Sequence, residues 1–267
     1  MMIHTRPNIA QSNAPSGFNS TQSDSSVSFQ DTFKKLTNLT NPEQRRDVFE
    51  HIVEDFKKIN TSGDKKQIDK AKSQLREYFE KDFKNKNLVI NFEGLEKYFS
   101  HKHISKDEFF PKIYLFVNAF IDTRNLNTIV KSARDVLKDR QGECDDITFF
   151  YHYFAKRLDI EGKAILERSE KVNVESNSVA HVRYYYFDHK KAEMTVMDQD
   201  NYNRISFKDL GTNDWKKAIE MYQRDVICAN ELPSNLAESG KESEFTFIDV
   251  TPSKKTCEFF REKNLEK

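Results

Sequence analysis

Three residues of this 267-residue chain have types and settings suited to covalent chemistry together: Cys144, His181 and Asp198. In that order they read as nucleophile, base and orienter. A cysteine thiolate attacks a carbonyl carbon, an imidazole receives and returns the proton, and a carboxylate on the far ring nitrogen fixes the imidazole. The oxyanion formed on attack needs donors. The Cys144 backbone N–H is one, and the Gln141 side chain is the candidate for a second.

The elements that must position these groups follow from spacing. Arg140-Gln141-Gly142-Glu143 interrupts the preceding apolar periodicity, and Gly142 is expected to allow the backbone angles of a tight turn. After it Ile147, Phe150, Tyr151, Phe154 and Leu158 recur at spacings of three and four, which predicts a helix beginning at Cys144. Unpaired N–H groups and the helix dipole at that end favour a thiolate. His181 lies 37 residues further on, at the head of the aromatic run Val182 to Phe187, which reads as a strand. Asp188-His189-Lys190-Lys191 is the turn, and Glu193 to Met197 the returning strand. In that hairpin His181 and Asp198 come to the same end of the pair.

With these residues in place the chain resembles the transglutaminase-like branch of the papain-like cysteine enzymes. The likeness rests on Arg140-x-Gly142-x-Cys144, the helix through Leu158, the passage Asp159 to Ala164 from helix to strand, His181 opening a strand, and Asp198 after Val196-Met197. It covers about residues 125 to 205. Gln199 stands where the family often has proline, and Arg183 where it often has tryptophan. The resemblance implies acyl transfer through a Cys144–His181–Asp198 triad without a cofactor, and favours a protein glutamine side chain as substrate. An amine acceptor would make the enzyme a transglutaminase, and water a deamidase. The alternatives are a cysteine protease of the papain-like superfamily and a non-catalytic interaction module whose helical half binds a partner.

Composition narrows the classes. Lys+Arg and Asp+Glu are both 43, a balance that points to neither nucleic acid nor an acidic substrate. Three cysteines, Cys144, Cys228 and Cys257, are too scattered for a disulfide framework or a paired-ligand zinc site. Cys228 reads as a small buried hydrophobe and Cys257 falls on an expected terminal helix. No run of 18 apolar residues occurs, so no membrane span is expected. With 22 Phe, aromatic rings must supply much of the core.

The helical half is expected before the site. Asn41-Pro42 signals a helix start, followed by Val48, Ile52, Val53, Phe56 and Ile59 on one face, with Thr61 to Asp64 ending it. Ile68, Ala71, Leu75, Tyr78 and Phe79 mark a second helix. Residues 84–104 are ambiguous, with Leu88-Val89-Ile90 as a short strand and Leu95, Tyr98 and Phe99 as a short helix. Ser105-x-x-Glu108 is a capping box, with a buried helix from Ile113 to Ile121 after Pro111, and another helix runs from Leu126 to Leu137. Beyond Asp198, 201–206 is loop or short strand, Asn213 caps a helix bearing Trp215 as a core residue, 230–243 is loop, and Phe245 to Val250 is a strand. The expectation is an α+β fold, a central helix against an antiparallel sheet of at least four strands with a helical N-terminal half. The divisions are a disordered segment at 1–28, a helical region at 29–124 and a catalytic domain at 125–267.

Weaker candidates have ordinary readings. Asp145 and Asp146 suit the first turn of a helix. His101-x-His103 would need Asp107 or Glu108 to hold a metal, and the stretch from Asp198 to Asn203 lacks the glycine of a calcium loop, so no metal is expected. One or two of Tyr184 to Tyr186 should face solvent or a substrate groove. Of residues 1 to 28, 14 are Ser, Thr, Asn or Gln and only Arg6 and Asp24 carry charge, a composition resembling the start of bacterial type III secreted effectors. That resemblance implies leaderless delivery to a host cell and a host-protein substrate, the other reading being a soluble cytoplasmic protein. Such a segment buries too little to offset its chain entropy. Removing residues 1–28 should leave the thermal midpoint of the remainder unchanged, and limited proteolysis should trim them first. A midpoint several degrees lower in the truncated protein would overturn this.

Overall fold

The computed structural model describes residues 29–36, 38–123, 130–169, 180–212, 214–222 and 245–252. The expectations for Trp215 as a core side chain, Cys228, Cys257, the 230–243 loop, the terminal helix and residues 1–28 lie outside that description.

Helices α1 (Phe29–Leu36), α2 (Pro42–Thr61), α3 (Lys65–Asn85), α4 (Phe92–Tyr98) and α5 (Lys106–Phe120) come first. Local signals set their ends. Asn41 accepts from Glu43 and Gln44 N–H, Asp64 from Lys66 and Gln67, and Ser105 from Glu108, so each start has one or two of its orphan donors satisfied. Ile52, Val53, Phe56 and Ile59 of α2 are buried as the spacing requires, with Phe49 beside them. Two details differ from expectation. Leu88 to Ile90 form no strand, and Val89 is exposed, while Asn91 caps α4. Pro111 lies inside α5 rather than before it, so the Asp107 carbonyl lacks its usual helical donor.

Next come β1 (Asp122–Thr123), α6 (Ala133–Asp139), β2 (Gln141–Gly142) and α7 (Cys144–Lys156). Strands β1 and β2 pair in parallel. Helix α6 starts later than the apolar pattern predicts, because Ser132 caps it by accepting from Asp135 N–H and Val130 and Lys131 precede it as coil. The left-handed turn residue before the cysteine is Arg140, at φ 56°, not Gly142. Glycine at 142 instead gives room: a Cβ there would come within 3.1 Å of both Asp146 Cβ and Ile147 Cδ1, closer than an ordinary contact.

The sheet comprises β3 (Gly162–Ser169), β4 (Ala180–Asp188), β5 (Glu193–Met197), β6 (Tyr202–Ser206) and β7 (Phe245–Asp249), antiparallel throughout in the order β6-β5-β4-β3-β7. The fold is therefore α+β. Asp188 turns the β4–β5 hairpin by accepting from Lys190 and Lys191 N–H. One sheet face lies on α7, where Tyr184 and Met197 join an apolar cluster running back through Phe150, Phe116 and Phe79 to Phe29. Helices α8 (Phe207–Leu210) and α9 (Trp215–Tyr222) cover the other, where Tyr185, Met194 and Val196 meet Phe207, Ile219 and Tyr222. Asp214 accepts from Lys216 and Lys217 N–H at the start of α9, and the expected cap Asn213 lies outside the described residues. Because both faces are covered, Tyr184 and Tyr185 are each fully buried on opposite sides, and only Tyr186 is partly exposed.

Gly162 opens β3 against the Tyr184 ring, and a Cβ there would overlap the Tyr184 hydroxyl. Gly162→Ala should therefore destabilise the fold by about 1–3 kcal/mol through overpacking, measured by urea unfolding. An unchanged midpoint would show that Tyr184 has space to move.

Candidate active site

Cys144 is the first residue of α7, after the N-cap Glu143. Its helix end is fixed by Asp146, whose Oδ2 accepts from Glu143 N–H at 3.1 Å and whose Oδ1 accepts from Lys131 N–H at 2.6 Å. Asp145 Oδ1 accepts from Asp146 N–H at 2.8 Å. Burial, then the nearby charge of Asp146, pushes the Asp145 carboxyl up to about 6. Further along α7 the Thr148 hydroxyl donates to the Val182 carbonyl at 3.0 Å, which ties the helix to β4 one residue past His181. The partly buried Cys144 packs against Ala164, Val182 and Val250.

His181 and Asp198 meet at the end of the β4–β5 hairpin, as the strand reading requires. Nε2 of His181 is 3.1 Å from Asp198 Oδ2, and the Cys144 side chain lies near enough to the same imidazole to favour its protonated form. The structure thus brings Cys144, His181 and Asp198 into one chain of contacts. Gln141 lies in β2, its carbonyl accepting from Lys131 Nζ at 3.4 Å. Among the described residues no bond joins its side-chain amide to that chain.

Asp198 is fully buried, with every lone-pair direction in use. Oδ1 accepts from the backbone N–H groups of Asp200 and Asn201, both at 2.7 Å, and from Asn201 Nδ2 at 3.3 Å. Oδ2 accepts from His181, from Arg183 Nε at 2.8 Å and from Asn201 Nδ2 at 3.2 Å. The loop carrying it is held from behind. Tyr151 of α7 donates to the Asp198 carbonyl, Asn118 of α5 to that of Gln199, and Tyr114 of α5 to that of Asp200.

Two residues that sequence reasoning did not place in the site belong to it. Arg183 is buried, and besides Asp198 its guanidinium binds Glu167 of β3, which also accepts from the Tyr185 hydroxyl at 2.6 Å. The period of two along β4 puts Arg183 on the His181 face, a signal the sequence does carry. Glu167 is the cross-strand partner of His181, which only the β3–β4 register shows.

Burial alone would raise the Asp198 carboxyl, but the bond and charge of His181, then Arg183 and the Asn201 N–H, hold it well below the usual carboxylate range. For His181 burial works downward. Its bonds to Asp198 and Cys144 and the Asp198 charge outweigh that and the Arg183 charge, raising it to about 10. At neutral pH the ring is an imidazolium.

The weaker candidates are engaged elsewhere. His101 pairs with Asp159 at 3.0 Å, Asp107 with Lys191, and Glu108 with Arg45 at 2.7 Å. Among the described residues no group of three His, Cys, Asp or Glu side chains is placed to hold a metal, and no helix is long and apolar enough to cross a membrane. Comparison with protein-family models, with curated proteins and with solved structures finds no match to this chain.

The two shifts have opposite linkage. A raised histidine contributes stability that is full below about 6.5 and is lost as pH rises through about 10, whereas a depressed carboxyl contributes stability present above about 4 and lost as pH falls. The gap in unfolding free energy between wild type and His181→Gln should therefore be widest at about pH 5.5 and narrow through about 7.5 to 9.5. Urea unfolding at those three values checks it. A gap that widens toward alkaline pH would contradict the assigned ion pair.

Proposed function

We propose that the protein is a thiol-dependent acyl-transfer enzyme acting on protein glutamine side chains, with Cys144 as nucleophile, His181 as acid and base, and Asp198 as orienter. The observation that carries this reading is His181 held at 3.1 Å from the buried, multiply bonded Asp198 carboxylate, with the helix-start Cys144 beside the ring. The layout, α7 on one face of an antiparallel sheet with the histidine on β4 and the aspartate directly after the neighbouring β5, is in line with what the resemblance to transglutaminase-like enzymes implies.

The proposed reaction uses Cys144 in the thiolate form, the one that attacks a carbonyl. The Cys144 thiolate, beside the His181 imidazolium, attacks the carboxamide carbon of glutamine, and its oxyanion is met by the Cys144 backbone N–H at the helix end. Collapse expels the amide nitrogen, which takes the His181 proton and leaves as ammonia, while the carbonyl remains as a thioester. The neutral imidazole then takes a proton from an incoming amine or water. That nucleophile attacks the thioester, the sulfur departs as thiolate, and His181 is an imidazolium again. Asp198 keeps the ring aligned throughout, since its other partners are fixed backbone and side-chain donors.

The substrate reading extends to a host protein, in line with the effector-like composition of residues 1–28. Incubating the full chain with cell lysate and a labelled primary amine, followed by mass analysis, separates the chemistries. Amine on glutamine marks transglutamination, a gain of about 1 Da there marks deamidation through the same thioester, and new peptide termini mark proteolysis and defeat the glutamine reading. Cys144→Ala should abolish modification and leave the circular dichroism spectrum unchanged, because it trims one atom at a helix start. Modification that persists in Cys144→Ala would remove the cysteine from the mechanism.

A further inference from the structure

Arg183 stands where the resembled family often has tryptophan, and it brings a buried cation against the Asp198 carboxylate. We propose that Arg183 is a positioning residue of the Cys144–His181–Asp198 site, fixing Asp198 against His181 while Glu167, braced by Tyr185, neutralises its charge. This rests on the acyl-transfer reading for the role of the site, and on geometry for the rest.

Two different carboxylates bind one guanidinium: Nε meets Asp198 at 2.8 Å, and a terminal nitrogen meets Glu167. A planar fork with several fixed donors spans two acceptors in a set geometry, whereas a lysine ammonium is a compact point charge on a flexible stem that does not fix that geometry. Arg183 and His181 share Asp198 Oδ2, so the arginine sets where that oxygen sits and hence where the imidazole must lie. The register places Glu167 opposite His181 and so beside Arg183, and Tyr185 closes the row from the next same-face position on β4. Arg183, Glu167 and Asp198 are all nearly inaccessible to solvent, so their charges are weakly screened and each is felt by the next. The charged or titratable groups facing His181 are Cys144 from α7, Asp198 and Asp200 from the loop after β5, Arg183 on its own strand and Glu167 from β3.

Removing one charge of the row changes the charge that His181 feels, and loss of positioning shows separately in the activity. In Glu167→Gln the arginine loses one of its two carboxylate partners and its charge bears more fully on Asp198 and His181, so His181 should lose its proton at a pH about one unit lower. In Arg183→Met the cation is gone, and His181 should keep its proton to a higher pH than in the wild type. The measurement is the pH titration of the His181 ring by NMR in the full chain with isotope-labelled histidine, the signal being assigned by its loss in His181→Gln. Opposite shifts support the proposal. Shifts in the same direction, or none, in folded variants overturn it. Should Arg183→Met fail to fold, Glu167→Gln decides alone, a downward shift supporting and an unmoved titration refuting. Labelled-amine incorporation is followed in parallel and should fall at least tenfold in Glu167→Gln. If no protein, wild type included, incorporates amine or deamidates glutamine while the shifts occur, the acyl-transfer reading fails and the network stands.

Discussion

A carboxylate with no exposed surface survives in a protein interior only if donors fill its lone pairs, and Asp198 is such a group. Its donors come from three directions: the imidazole and guanidinium of β4, the two backbone N–H groups that follow it, and the amide of Asn201. Much of the structure around the site can be understood as delivering them. The β4–β5 hairpin must hold its register, because a slip of one residue would send His181 and Arg183 to the opposite face. The 198–201 turn must curl back on the carboxylate, and Asp198 N–H bonding to the Asn201 carbonyl at 2.9 Å closes it.

That requirement gives the helices before the site a specific task. Tyr114 and Asn118 on α5 and Tyr151 on α7 donate to three successive carbonyls, those of Asp200, Gln199 and Asp198. The outward side of the loop is satisfied by the helices, and its inward N–H groups are thereby free to face the Asp198 side chain. Burial raises the Tyr114 and Tyr151 hydroxyls well above their ordinary values, and the Asp198 charge works the same way, so both remain neutral donors. Since Phe116 of α5 also packs on Phe79 of α3 and on Phe99 after α4, the aromatic cluster is continuous with the support of the site.

Much of this was legible in the sequence, and the limits have physical causes. Helix starts at Asn41 and Ser105 were readable because a cap is a local bond between residues two or three apart. The meeting of His181 and Asp198 was readable because a hairpin's ends coincide whatever its environment. Arg183 and Glu167 were not, because their contact depends on a pairing between strands that the sequence does not fix. Of Tyr184 to Tyr186, where one or two were expected to face solvent or a groove, Tyr186 is the partly exposed one, and α8 and α9 cover the Tyr185 face, which the strand pattern leaves open. Gly142 was assigned a turn, yet Arg140 takes the left-handed conformation and glycine serves the close approach of α7. Spacing identifies where a chain bends but does not tell strain from crowding.

The signs of the buried charges then explain why an arginine is tolerable here at all. A lone buried cation beside an orienting carboxylate would cancel the field that keeps His181 protonated, and a lone buried anion on β3 would be costly to desolvate. Placed in a row, each meets its opposite: Glu167 negative, Arg183 positive, Asp198 negative, His181 positive. These four sum to zero, which limits the desolvation penalty of the set. The order also leaves the positive member at the end nearest Cys144, where it is the most exposed of the four. The row therefore ends on an imidazolium facing a sulfur, and a thiolate there continues the alternation by one more step. A tryptophan at position 183 would give Asp198 an apolar neighbour and Glu167 none of its charge, so arginine at 183 and glutamate at 167 are physically one choice rather than two.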